Sequence, residues 1–222
     1  MGSLVGQVLP FALGIALSPL PIIATVLLLM SPRARRASVA YLAGWIVGIA
    51  AAATVFALLG AALPDEVRHG SSVTSRVVGT AVGLFLIGLG VREWIRRPRG
   101  GSTPSLPGWM AALDRISGPR AFGLAFLLAA VNPKNLLLGA SAGLALAHSG
   151  DPASAAVASL VYLVLASTSV AVPVVVSLVA RERVEPFLSR LRDVLVQHSA
   201  VIMTVLLSLI GISMIGNAIT GR

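Results

Sequence analysis

The sequence predicts an all-α, polytopic membrane protein: six transmembrane helices in two inverted three-helix repeats, with helices 1 and 4 broken at proline motifs. Three observations lead there. Of 222 residues, 56% are hydrophobic and 11% charged, where a soluble globular domain carries about 25% charged residues; the mean hydropathy is +0.92. Six apolar runs are each long enough to cross a bilayer core, which takes about 20 helical residues. The basic residues between those runs are distributed unequally over the two sides.

The runs cover residues 4–30, 39–63, 73–91, 121–147, 153–180 and 200–219. Apolar stretches of this length exceed a buried strand, and backbone in lipid must satisfy its own hydrogen bonds, so each reads as a helix. The first lacks a basic leader and a small-residue cleavage motif, which marks it as a span of the mature protein. It carries Leu17-Ser18-Pro19-Leu20-Pro21-Ile22-Ile23. The second and third carry Gly44-xxx-Gly48 and Gly79-xxx-Gly83, spacings that suit close helix contact inside the bundle. The fourth repeats the polar-proline break of the first as Val131-Asn132-Pro133-Lys134-Asn135-Leu136-Leu137 and continues into Gly139-xxx-Gly143. In the fifth, Ser167-Thr168-Ser169 precedes Pro173. The sixth ends in Leu209-Ile210-Gly211-Ile212-Ser213, similar to Leu86-Ile87-Gly88-Leu89-Gly90 of the third. Three spans per half place a duplicated half upside down, a plan common among secondary transporters. The chain therefore divides as one transmembrane domain, 1–222, with a first repeat 1–95, a cytoplasmic linker 96–118 and a second repeat 119–222.

A formal charge of +9 would suggest nucleic acid in a soluble protein. Here sixteen of the seventeen basic residues are arginines in short loops, where they set orientation and meet lipid headgroups. Thirteen fall in the first, third and fifth loops, and Arg68, Arg76 and Arg222 fall on the other side. The positive-inside rule then places both termini outside the cytoplasm of a cytoplasmic membrane. The linker segment from Leu106 to Ile116 and the stripe Val184, Phe187, Leu188, Leu191, Val194 and Leu195 are amphipathic. Both fit interfacial helices or connectors packed on the bundle, with Arg190 and Arg192 towards headgroups. The absence of cysteine excludes disulfides and thiol chemistry. His69, His148 and His198 lack ligand spacing, so neither a metal nor another cofactor is expected. No catalytic motif is present, and the chain reads as a non-enzyme.

The two breaks are the place for chemistry. A proline inside a helix frees the carbonyl four residues earlier, here those of Ile15, Leu17 and Ala129. Irregular backbone survives in lipid only where protein or a wet cavity covers it, so the breaks are expected to meet. Lys134, the single lysine, is the ionisable side chain deepest in a span; such groups usually face the interior. No Asp or Glu lies in any run, which leaves an anionic ligand, backbone carbonyls or, with the amine neutral, nothing as its partner, and disfavours a cationic substrate. Ser18, Pro19, Pro21, Asn132, Pro133, Lys134 and Asn135 are the expected substrate-binding residues. Thr54, Tyr162, Ser167, Thr168 and Ser169 are polar candidates to line a path or to pack helices.

These residues carry a resemblance over nearly the whole chain. Ala16 to Ala24, Ser31 to Arg35, Ala130 to Leu138 and Pro186 to Arg192 closely resemble the GAP (Sap) family. Its members are small actinobacterial membrane proteins described as glycopeptidolipid- or sulfolipid-addressing and grouped with the lysine exporter superfamily. The resemblance implies six spans in two inverted halves and export or translocation of an envelope glycolipid or another small amphiphile. Two alternatives remain beside it: export of a small polar metabolite, and a non-transporting membrane partner of a lipid synthesis or export machine. Membrane lipids are partners under each reading, nucleic acid under none, and homo-oligomerisation is compatible with all.

Overall fold

A computed structural model describes residues 2–31, 34–62, 73–97, 113 and 116–220, and these are helical apart from short connections. In chain order they form α1 (Gly2–Ala16), α2 (Pro19–Met30), α3 (Ala34–Ala61), α4 (Val73–Ile95), α5 (Gly118–Ala130), α6 (Pro133–Ala147) and α7 (Pro152–Thr220). Most of the linker segment expected to be amphipathic lies outside the described residues. Of its apolar positions, Leu113 is buried in the core and Ile116 packs against it.

The first and fourth runs are each broken in two. α1 meets α2 at 51°, and α5 meets α6 at 65°. Proline opens the second helix of each pair, where its fixed φ suits a first turn and its missing N–H has no partner to lose. Asn132 caps α6 by accepting the backbone N–H of Lys134 at 3.1 Å, whereas Ser18 makes no side-chain cap. Three described segments are long and apolar enough to cross a membrane: α3, residues 152–179 and residues 186–220. The two bent pairs raise the number to five if each is one span. α4 has 23 residues, about 35 Å at the rise of an α-helix.

α7 is helical throughout and yet folds back on itself. A Cβ at Gly14 would touch both Ile210 and Leu138, while one at the neighbouring Gly139 would lie 3.8 Å from the Tyr162 hydroxyl. A straight helix would separate Tyr162 from Ile210 by about 70 Å, so the chain reverses between them. Val174 and Leu188 share a cluster with Val26 and Leu29, which places the reversal between those two residues. The expected interfacial helix is therefore part of α7. Leu188 and Leu195 are buried and Leu191 is half-buried, whereas Phe187 is 63% exposed, a position compatible with the acyl region, and the Val184 side chain lies outside the described ones.

Small residues set the packing. A Cβ at Gly44 would collide with the Phe122 backbone, one at Gly48 would stand 2.7 Å from the Ala129 Cβ, and one at Gly60 would stand 3.0 Å from the Ala147 Cβ. These contacts advance together along both chains, so α3 runs parallel to α5 and α6. α4 runs antiparallel to the end of α7, with Gly79 at Ala218, Gly83 at Gly211 and Gly90 at Thr204. All three glycine pairs thus serve contacts within the bundle.

Candidate functional site

In each break one carbonyl freed near the proline accepts from a side chain of α6. In the first break the Ser18 amide turns to the Ile15 carbonyl at 3.1 Å, a tight i to i−3 bond. Ile15 is therefore satisfied, contrary to expectation, and the carbonyl left over is that of Gly14. The Lys134 ammonium donates to it at 2.8 Å. In the second break the Val131 amide still bonds Leu127 at 2.9 Å, and the next carbonyl, Leu128, accepts the Asn135 side-chain amide at 2.9 Å. Gly14 and Leu128 each stand five residues before the proline that opens the following helix. A common backbone geometry thus leaves a common gap, filled both times from Lys134-Asn135.

The polar breaks come together through this bond. Lys134 is 6% exposed and Asn135 1%, with Ser18, Pro19 and Pro21 also buried; Asn132 is half-buried and Pro133 exposed. No acidic side chain bonds Lys134, whose ammonium is held by a backbone dipole alone among the described residues. A neutral carbonyl is a weaker partner than a carboxylate or sulfate, because hydrogen bonds between two ionised groups are shorter and stronger. An anion reaching this point would compete well for the ammonium. Among the described residues no group of histidines and carboxylates is placed to hold a metal ion.

An apolar cavity of about 590 Å³ lies between α3, α6 and the start of α7, lined by Ala50, Ala53, Thr54, Ala57, Leu146 and Tyr162. Tyr162 stands at the Gly139 end of it, one helical turn from Asn135. Thr54 and Tyr162 therefore do line a space. Thr168 instead points outward and bonds the Val164 carbonyl at 2.8 Å. A smaller cavity of about 230 Å³ between α1 and the end of α7 carries Gln7, Ser213 and Asn217.

Several residues escaped sequence reasoning. Gly14 and Leu128 enter through their carbonyls, which no side-chain motif marks, although the proline spacing locates them within a residue. Trp45 is fully buried and its indole N–H donates to the Ala166 carbonyl at 3.4 Å, joining α3 to α7. Tyr41, one turn before it, is also fully buried. Their spacing with Ser38 along one face of an apolar run was the available signal.

A family model described as Sap, sulfolipid-1-addressing protein, matches residues 8–220. No curated protein and no solved structure matches. With residues 8–220 of the 222 matched, the chain belongs to the Sap, sulfolipid-1-addressing protein, family.

Proposed function

We propose that this chain is a secondary transporter or translocation factor of the cytoplasmic membrane that exports an envelope glycolipid or another anionic amphiphile without covalent chemistry of its own. The observation that carries the reading is the buried Lys134 side-chain nitrogen held, among the described residues, only by the Gly14 carbonyl at 2.8 Å. It is a cation inside an apolar bundle, exchangeable to an anionic headgroup, at the junction of two broken helices. Ser18, Pro19, Pro21, Asn132, Pro133 and Asn135 shape the surrounding site. The family description, with its sulfolipid, agrees with an anionic lipid as cargo.

The same proposal takes the chain as six spans in two inverted halves, akin to the lysine exporter superfamily. α4 supplies the sixth span by length, and the breaks of α1–α2 and α5–α6 share a proline, Pro19 and Pro133, at the opening of the second helix. In such folds broken helices near the midplane form the substrate site, and one repeat rocks against the other.

The test is a lipid profile of the cell envelope in a strain lacking the protein, complemented with wild-type or variant chain at equal membrane levels. Lys134→Met should give the deletion profile, whereas Arg190→Gln, remote from the breaks, should restore the wild-type one. Full restoration by Lys134→Met would overturn the central site. Loss with Arg190→Gln alone would point instead to a cytoplasmic surface that serves a partner machine.

A further inference from the structure

α1 carries a proline within its length, Pro10, which returns no N–H to the Gly6 carbonyl. Both residues border the smaller cavity, about 230 Å³, between α1 and the end of α7. Gln7 and Phe11 stand one turn apart on its α1 side, and Ser213 and Asn217 one turn apart on its α7 side. Gln7, Ser213 and Asn217 are exposed, so their side chains can reach whatever fills the space. Hydroxyls on this part of α7 bond the carbonyl four residues earlier, Thr204 at 2.8 Å and Thr220 at 2.9 Å, the usual arrangement in a helix. Ser213 does not, and neither carboxamide bonds another described residue.

The lining fixes the chemistry of an occupant. It holds no ionisable side chain, and so offers neither an anion nor a cation a charged partner. Two carboxamides and a hydroxyl each donate and accept, and Phe11 adds an aromatic face, whose negative centre attracts polarised C–H groups. The hydroxyls of a sugar match the first set and the C–H face of its ring matches the second, whereas an acyl chain would leave the polar atoms without partners. Gly6 keeps the space open, because nothing stands within 4 Å of a Cβ placed there. The volume is below the roughly 300–1,000 Å³ of sites for drug-sized ligands, which suits one ring rather than a whole lipid. Depth agrees with a headgroup. Gln7 precedes Ser18 by eleven residues, about 16 Å along a helix, and half a hydrocarbon core is about 15 Å.

We propose that this cavity binds the neutral sugar ring of a glycolipid headgroup at the membrane face away from Arg35 and Arg36, with Gln7, Ser213 and Asn217 bonding the ring hydroxyls and Phe11 against the ring. Ile210 lines the cavity and also packs at Gly14, whose carbonyl holds Lys134. The seam of α1 with α7 thus carries a polar site at headgroup level about 10 Å outward from the Lys134 contact. Binding of the sugar stands on the cavity alone; its use as an exit station for cargo rests on the transport reading above.

The test uses the full chain in nanodiscs of phosphatidylglycerol. One probe is a monoglucosyl diacylglycerol with a photoreactive diazirine on the sugar, and the reference is phosphatidylcholine with the same group on its headgroup. After illumination the glucosyl probe should mark residues 6–11 and 210–217 at least about fivefold more than the reference, the worth of one hydrogen bond of about 1 kcal/mol. Excess unlabelled glucosyl lipid should compete the mark away, and Gln7→Leu and Asn217→Leu should each reduce it by a similar factor. Gly6→Leu fills the space without meeting a neighbour, and should abolish the mark with no fall in melting temperature. Equal marking by both probes, or full marking of a folded Gly6→Leu, would overturn the proposal. So would quantitative disulfide-linked dimerisation of Asn217→Cys in native membranes, since the chain is otherwise free of cysteine and a second copy would then cover the cavity. Lys134→Met should be marked as fully as wild type whether or not it restores the envelope lipids, so the two readings fail separately.

Discussion

Lys134 shows how one side chain can be structural and functional through a single bond. Its ammonium fills the gap at Gly14 that the Ser18 turn creates. Lys134→Met keeps the stem and removes the donor, leaving a buried acceptor unsatisfied at a cost of about 1–3 kcal/mol. The variant should therefore unfold at a lower temperature in detergent while still assembling, and its loss of transport should exceed what its reduced amount explains. Asn132→Ala removes only a cap, with an expected loss of about 0.5–2 kcal/mol; a larger loss than that of Lys134→Met would contradict this ranking. Asp151 offers a pH readout away from the breaks. The Ser154 hydroxyl, then the backbone amides of Ser154 and Ala153, bond its carboxylate and lower its pKa. A pKa depressed in the folded state means a contribution present above the unfolded value of about 3.9 and lost as pH falls through the folded one. The difference in melting temperature between wild type and Asp151→Asn should hold constant above about pH 5 and shrink as pH falls below about 4. A difference that widens on acidification would refute this assignment.

At the level of helices, contacts through glycine decide what can be changed. Gly143 lies against the Ala53 carbonyl, so a side chain there must push α3 from α6. Gly143→Val should cost about 1–3 kcal/mol, the usual range for overpacking, and weaken the site that α6 carries. Gly88 has nothing within 4 Å of an added Cβ, and Gly88→Ala should be neutral or stabilising by about 0.5–1 kcal/mol. Steric-trap or thermal unfolding distinguishes them, and equal effects would show that the close contacts do not limit stability. The small-xxx-small spacing that located these contacts was legible in the sequence because only a tiny residue allows backbones to touch. The stripe from Val184 to Leu195 was legible as helix but not as placement. Lipid tails are as apolar as a protein core, so in this medium an apolar face does not say whether it meets neighbours or lipid. Leu188 and Leu195 turned inward while Phe187 and Val194 turned out. Continuity of α7 was equally hidden, since Arg181, Arg183 and Pro186 read as a loop between the fifth and sixth runs.

For the molecule as a whole, the breaks and the buried lysine could be read from residue types that are costly in lipid, but the partners could not, because Gly14 and Lys134 are far apart along the chain and meet only through packing. The remaining question at this scale is whether α5 and α6 together cross the membrane or dip in and return. A 65° bend leaves the pair advancing in one direction, where a re-entrant loop must nearly reverse. The pair also keeps step with α3, from Gly44 at Phe122 to Gly60 at Ala147, and α3 at 28 residues is long enough to cross. Arg96, just beyond α4, and Ala153, at the start of α7, are then expected on opposite faces. Both are exposed in the fold, and with thirteen basic residues against three the face of Arg96 is expected to be the cytoplasmic one. An impermeant thiol reagent added to intact cells should label Ala153→Cys, and should label Arg96→Cys only after the membrane is opened. Labelling of both from outside, or of neither, would make α5–α6 re-entrant and remove the inverted-repeat reading; labelling of Arg96→Cys alone would keep the crossing and reverse the orientation.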